Sequence, residues 1–236
     1  MTTEPTTPAT VSGTTEPLLV EDLLLLLFKP DSVTIAGENT LFYALGGAVL
    51  AQLTQIGAVE IEKTGLGTRV HSIGAPPSDA ILRSAWDYSA DKPRGAQGML
   101  AAIGPHLRKP ILERLIERGD IVSEDRKLLG LIPSTTLSDG TTGRRAELLA
   151  RVRSVLVDGA DPDDVTGSLA ALLYASGALP TFHREIPWTA SVIERATALQ
   201  NGEWGASAAS SAVNRTMASV AINSVISAGV IAQVTR

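Results

Sequence analysis

Apolar positions along the chain recur mostly at helical spacing, in segments that glycine and proline separate. The first segment, residues 18–28, is nearly continuous leucine, with Glu21 and Asp22 near its start. Pro17 suits a first helical turn, the two acids suit the positive N-terminal end of a helix, and Pro30 ends it. The pattern predicts a helix that is far shorter than the ~20 residues of a membrane span.

Two later segments each predict a helix that leads into a pair of strands. Residues 41–57 have the spacing of an apolar helix that ends at a glycine, and residues 59–73 then alternate apolar and polar positions around a Gly-rich turn. Residues 106–119 predict an amphipathic helix, and residues 120–133 a second hairpin. Both helices end in the sequence pattern L-x-x-L-x-x-x-G, so a helix followed by a hairpin is expected twice.

Most of the other segments also predict helices. Ser78 and Asp79 are capping residues before a helix, which a Pro/Gly linker separates from the next one. After the second hairpin, Asp161 is the expected cap and Pro162 the first turn of one helix. Further helices are predicted over residues 78–90, 143–159, 161–177 and 187–202.

The predicted fold class is mainly α, a single helical domain over residues 18–236 with a central helix bundle and two peripheral β-hairpins. Residues 1–17 are rich in threonine and proline and predict a disordered tail. Residues 216–235 form a charge-free run of membrane-spanning length, made mostly of alanine, serine, valine and isoleucine. Because these small residues let helices approach closely, a buried terminal helix is favoured over a transmembrane span.

Composition narrows the classes of function. Hydrophobic residues make up 44% of the chain and aromatic residues 4%, a balance that favours helix packing. The absence of cysteine excludes disulfides, thiolate zinc sites and cysteine nucleophiles, and fits the cytoplasm. A net charge of -5 argues against a general nucleic-acid binder, although a local basic patch remains compatible with it.

Sequence motifs give no support for catalysis. His71, His106 and His183 lie in three different segments, and none has a second histidine three or four residues away, so no metal site is expected. The sequence has no phosphate-binding loop, nucleophile elbow or Ser-x-x-Lys motif. We therefore expect no enzyme and no cofactor, with a catalytic site of dispersed residues as the alternative.

A basic and apolar segment is the most informative part of the chain. Its cations are Arg108, Lys109, Arg114 and Arg118 in the helix and Arg126 and Lys127 in the hairpin, followed by the apolar Leu128, Leu129 and Leu131. Cations are attracted to anionic headgroups by about 1 kcal/mol each, and an apolar tip can enter the acyl boundary. The alternative is that the glutamates at 113 and 117 pair with these cations and that the apolar residues form a buried strand.

Four segments resemble, in order and spacing, the blocks of the Golgi phosphoprotein 3 family. They are LLVEDLLLLLFKPDS, LFYALGGAVLAQLTQIGAVEIE, LERLIERGDIVSED and GSLAALLYASG. The resemblance covers roughly residues 18–179, and the remainder matches only as helices. It implies a mainly helical, non-catalytic protein of a family that binds phosphatidylinositol 4-phosphate. The acidic, alanine-rich composition suggests a bacterial branch.

The resemblance also implies particular site residues. Arg108 aligns with the second of a pair of arginines in the family's lipid pocket, whereas Pro105 occupies the position of the first. Gly46 aligns with a further arginine of that pocket and Gly37 lies near a tryptophan, so most of the pocket is not matched. The hairpin that the family uses for membrane insertion or self-association aligns with residues 124–135.

These inferences give three hypotheses. The first is a cytoplasmic, peripheral membrane protein that binds anionic phospholipid, with headgroup-binding residues Arg108, Lys109, Arg126 and Lys127. In this hypothesis the residues at 128, 129 and 131 insert into the membrane or join copies of the chain into a homo-oligomer, and protein clients are possible partners. The second is a winged-helix-like DNA-binding regulator, although no nucleic-acid partner is expected. The third is a protein scaffold that does not bind lipid.

Overall fold

The structure is a computed structural model that describes residues 16–30, 41–64, 67–128, 132–202 and 223, without the side chains of 125–135. Within this part of the chain the fold is mainly helical, as predicted. The helices are α1 Leu19–Leu27, α2 Leu41–Gln55, α3 Ala80–Tyr88, α4 Ala96–Ile103, α5 Arg108–Glu117, α6 Arg144–Leu156, α7 Asp164–Ala175 and α8 Ala190–Gln200. The strands are β1 Val59–Thr64, β2 Gly67–Ser72, β3 Arg94–Gly95, β4 Ile121–Leu128 and β5 Ile132–Asp139.

Helix α1 lies at the centre of the bundle. All of its residues are buried, and it contacts α2, α5, α6 and α7. A helix that is surrounded by other helices has no solvent-exposed face, which explains the nearly continuous leucine sequence of α1. The same position buries its two acidic residues, Glu21 and Asp22, at 2% and 3% exposure.

The repeated pattern L-x-x-L-x-x-x-G forms the same helix end twice. Gly57 and Gly119 have φ angles of 67° and 79°, a left-handed conformation that glycine adopts without strain. After each glycine, a backbone N–H donates to a leucine carbonyl of the preceding helix, at 2.9 Å from Ala58 to Leu53 and 2.9 Å from Asp120 to Leu115. In both places the chain then continues directly into a strand, β1 after Gly57 and β4 after Gly119.

Two antiparallel sheets follow these helix ends. Strands β1 and β2 form the first predicted hairpin, and the short strand β3, which was not predicted, pairs with β2. Strands β4 and β5 pair from Ile121↔Asp139 to Leu128↔Ile132. The second hairpin is therefore confirmed but extends beyond the predicted residue 133, and its connection, residues 129–131, lies outside the described residues.

Three local predictions were wrong. The Pro/Gly linker contains α4, whose Met99 and Leu100 are fully buried. The cap of α7 is Asp163 instead of Asp161, because its carboxylate accepts the Thr166 N–H at 2.8 Å. Pro17 precedes α1 instead of forming its first turn.

Two predictions at the ends of the chain are left open. The tail over residues 1–15 and the terminal segment 216–235 lie outside the described residues, except for Asn223. Among the helices that the structure describes, none is long and apolar enough to cross a membrane.

Candidate functional site

Arg108 and Lys109, two of the predicted headgroup-binding residues, lie on the first turn of α5, and both are exposed. Beneath them, Leu107 and Ile111 are buried in the core and anchor the helix. The two basic side chains are therefore presented to solvent from a fixed helical backbone. Such a position orients side chains more reproducibly than a loop does.

A close contact with α2 fixes the start of α5. The preceding turn, Gly104–His106, packs on α2, where a Cβ added at Gly104 would lie 2.2 Å from the carbonyl oxygen of Phe42. Only glycine allows the two backbones to approach this closely. The position of the basic turn thus depends on this contact.

Lys109 pairs with Glu113, one turn further along α5. The two charged atoms are 3.9 Å apart, and the side chains are 87% and 57% exposed. An exposed pair of this kind contributes little free energy and leaves the lysine available to another anion. The alternative interpretation, that glutamates on this helix pair with its cations, is confirmed for Glu113.

Arg114 on α5 and Arg118, just after its end, are half-buried and pair with carboxylates. Arg114 Nη1 donates to Glu21 at 3.1 Å and to Asp79 at 2.8 Å. Arg118 donates through Nη1 to Glu21 at 2.8 Å and through Nε to Asp120 at 2.5 Å. Burial acts to lower the pKa of both arginines, but the hydrogen bonds that they donate to these carboxylates outweigh it and raise the pKa.

Asp22 has its own partner on α6. Arg144 donates to its carboxylate through Nε at 3.0 Å and through Nη2. Burial nevertheless raises the pKa of Asp22 above its ordinary value, because desolvation of the carboxylate outweighs the attraction of Arg144. Together with the pairs of α5, this contact ties α1 to two neighbouring helices through buried charges.

The basic surface is consequently smaller than the sequence indicated. Counting Arg114 and Arg118 among the membrane-facing cations was wrong, because their side chains are held in the ion pairs of α1. The acids of α1 were interpreted only as helix-start residues, and their role as partners of these arginines was missed. A signal for it existed, since an acid in an otherwise apolar, fully buried helix needs a counter-charge.

The structure describes the hairpin residues of the predicted site only through their backbone. In β4, Arg126, Lys127 and Leu128 pair with residues 134, 133 and 132 of β5. The side chains of these residues, and the whole of Leu129 and Leu131, lie outside the described part of the chain. The structure places Arg108 and Lys109 on one exposed turn, but it does not test contact with lipid, so all seven site assignments stay predictions.

Packing at Gly46 agrees with the departure from the family's pocket. A Cβ at this position would lie 3.2 Å from the Cδ2 atom of Leu100, so α2 and α4 pack too closely here for a long side chain. Pro105 is exposed beside the basic turn, and Gly37 lies outside the described residues. In the described part of the chain, no cluster of histidine and acidic residues could hold a metal ion.

Comparison with known proteins assigns a family. The family model described as Golgi phosphoprotein 3 (GPP34) matches residues 19–216, which extends the resemblance well beyond residue 179. No curated protein matches the chain. The match does not support the bacterial origin that the composition suggested. The family is non-catalytic, and its members are phosphatidylinositol 4-phosphate-binding effectors. The chain belongs to the Golgi phosphoprotein 3 family.

Proposed function

We propose that the protein binds anionic phospholipid headgroups, of the phosphatidylinositol 4-phosphate kind, at the cytoplasmic surface of a membrane. The observation that supports this proposal is the exposed pair Arg108 and Lys109 on the first turn of α5, in a family whose members bind that lipid. Neither side chain is buried in the domain, so both can approach a planar surface. The binding is peripheral, by contact with headgroups.

Two cations provide only part of the affinity. At about 1 kcal/mol each near an anionic surface, they contribute roughly 2 kcal/mol, about a 30-fold increase in binding. Stable attachment needs a second signal. We propose that the apolar residues Leu128, Leu129 and Leu131 supply it by inserting at the tip of the hairpin, with Arg126 and Lys127 beside them on β4.

Vesicle co-sedimentation tests the headgroup site. The wild-type protein and Arg108→Glu are compared on neutral, phosphatidylserine and phosphatidylinositol 4-phosphate vesicles at low and high salt. Arg83→Glu is the matched control, because Arg83 is exposed on α3 and the change in charge is the same. We expect binding to anionic vesicles that falls with salt, weakens about tenfold or more in Arg108→Glu and changes much less in the control.

The three outcomes have different meanings. Preference for the phosphoinositide that is lost in Arg108→Glu supports headgroup recognition at α5. Equal binding to both anionic lipids supports a charge mechanism without headgroup specificity. Equal loss in both variants, or no binding to any vesicle, contradicts the site and favours a protein scaffold.

Self-association through residues 124–135 is a second part of the proposal, since an apolar tip that can enter a membrane can also join two copies of the chain. Leu129→Ser/Leu131→Ser is compared with Ile56→Ser, which changes a residue that is 55% exposed at the end of α2. Light scattering should show a larger species in wild type and in the control but a monomer in the double variant. A monomeric wild type would contradict this part alone. Protein clients would be identified separately, by co-purification.

A further inference from the structure

A second group of basic residues surrounds a cavity at the C-terminal end of α1. The cavity has a volume of about 290 Å³. It lies between the end of α1, the first turns of α6 and the 3-10 turn Leu179–Phe182 that follows α7. None of the residues at the start of α5 lines it. This site is therefore separate from the proposed headgroup site.

Cations predominate around this cavity. Among the described residues, Lys29, Arg145, Arg184 and His183 line it, and Glu185 provides the one carboxylate of that lining. The chain has a net charge of -5, so three permanent cations from three different segments around one cavity depart from its overall acidic character. Like charges around one cavity repel one another, and an anion bound among them would offset that repulsion.

Lys29 and Arg184 have no partner that would neutralise them within the described residues. Both side chains are exposed, and neither forms an ion pair or a side-chain hydrogen bond in that part of the chain. This distinguishes them from Arg114, Arg118 and Arg144, whose charges are matched by buried acids. Lys29 and Arg184 are thus not explained by the ion pairs that hold the helices together, whereas Arg145 pairs with Asp139.

Arg145 provides the strongest indication of a ligand. Its Nε atom is buried and has no hydrogen-bond partner in the described structure, because its ion pair with Oδ1 of Asp139 is long, at 3.9 Å. The guanidinium lies 5.6 Å from the ring centre of Phe28, which restricts its orientation. A buried donor without a partner is uncommon in native structures, and binding of a water or an ion is one explanation for it.

We propose that this cavity binds a phosphate group, held by Arg145 from α6, Lys29 after α1 and Arg184 after the 3-10 turn. The planar fork of a guanidinium matches the oxygen atoms of phosphate, and the two exposed side chains close over the remaining oxygens. The volume is near the low end for ligand pockets, so it suits a phosphate monoester with a small substituent. This proposal does not rest on the function proposed for α5.

Two contacts place the cavity at the same end of the bundle as the basic turn of α5. The Leu19 N–H donates to Gln52 Oε1 at 2.9 Å, so α1 begins beside the end of α2, and the cavity at the other end of α1 lies away from Gln52. Gly104, just before α5, contacts Phe42 at the start of α2, also away from Gln52. The phosphate can therefore come from a lipid headgroup, which would give the protein two contacts with one membrane, or from a soluble phosphate compound.

Binding of inorganic phosphate, measured by calorimetry at constant ionic strength, tests the site. We compare Lys29→Ala/Arg184→Ala with the control Arg83→Ala/Lys92→Ala, in which two exposed basic residues elsewhere are removed. All four residues are exposed, so folding should be preserved, and circular dichroism checks it. We expect phosphate affinity to fall about tenfold or more in the first double variant and to stay within about twofold in the control, as loss of close ionic contacts predicts.

Vesicles and the Arg108→Glu variant separate the remaining cases. Suppose that phosphate binding depends on Lys29 and Arg184. Weaker binding of their double variant to phosphatidylinositol 4-phosphate vesicles then identifies a lipid headgroup as the ligand. Unchanged vesicle binding identifies a soluble phosphate compound. Arg108→Glu should keep phosphate binding, even if it does not bind vesicles. Absence of phosphate binding, or equal loss in both double variants, would overturn the proposal.

Discussion

Replacing Glu21 by glutamine should destabilise the fold strongly for so small a change. The side chain is 3% exposed and its carboxylate accepts hydrogen bonds from Arg114, Arg118 and the Leu18 N–H. Glutamine preserves the shape but removes the charge, and its NH₂ group directs a donor at the arginines. The substitution therefore leaves two guanidinium groups beside a group that cannot balance them.

The magnitude follows from the partners that remain. Removing one member of a buried ion pair typically costs about 3–5 kcal/mol. Here Arg114 keeps Asp79 and Arg118 keeps Asp120, and both arginines are about 30% exposed, so water screens the residual charge. We expect Glu21→Gln to lower the free energy of unfolding by about 2–3 kcal/mol, below the full value for an isolated pair.

Urea unfolding at neutral pH measures this difference. With a slope of about 2–3 kcal/mol/M for a chain of this size, the midpoint should fall by about 1 M. Glu113→Gln is the matched control, because the same substitution removes an exposed partner of Lys109 and should cost less than about 0.5 kcal/mol. If both variants unfolded at the same urea concentration, the buried charges would not stabilise the fold as argued.

Three further results are expected, each from unfolding measurements. Gly104→Ala should lose about 1–3 kcal/mol because its Cβ meets the Phe42 backbone, whereas Gly98→Ala, with nothing within 4 Å, should be neutral or stabilising. Asp163→Ala should cost about 1 kcal/mol at pH 7 through loss of the α7 cap. Burial acts to raise the pKa of Asp163, but the Thr166 and Arg151 hydrogen bonds outweigh it and lower the pKa below 3.8. The stability advantage of wild type over Asp163→Ala should therefore be lost as the pH falls below 3.8. Asp22 has a pKa raised above 3.8 by burial, so the folded state binds more protons there, and wild type should lose stability relative to Asp22→Asn as pH rises above 3.8. A common pH trend for both aspartates would contradict these assignments.

Helix ends and hairpins were predictable because their signals are local. Gly57 and Gly119 end their helices in the left-handed conformation that glycine alone adopts easily, and the alternating residues that follow form strands. Helix α4 was missed for the same reason, since the glycines at 95, 98 and 104 give the local pattern of a linker. Its helical state depends on burial of Met99 and Leu100, with α4 packed against α2 and the sheet strand β2, which no local pattern contains.

The candidate site was predictable only where a residue's role is also local. Arg108 and Lys109 were predicted within a helix over residues 106–119, and the structure places both at the start of α5, while their contact with lipid stays a prediction. Arg118 forms its ion pair with Glu21, which is 97 residues away in sequence. Asp22 forms its ion pair with Arg144, which is 122 residues away. A pairing over such separations is a property of the packed bundle, so composition and spacing indicated the charges but not their partners.

Helix α5 divides its basic residues between two roles, and this division determines how the protein can bind a membrane. Arg114 and Arg118 lie four residues apart on the side that meets α1, where buried acids neutralise them. Only Arg108 and Lys109, on the first turn, face outward. With two cations in place of four, the electrostatic contribution of α5 is halved to about 2 kcal/mol, and its salt dependence is correspondingly shallow. If the protein binds a membrane as proposed, a surface contact this weak would need a second one, which the proposed apolar insertion or the proposed phosphate contact would supply.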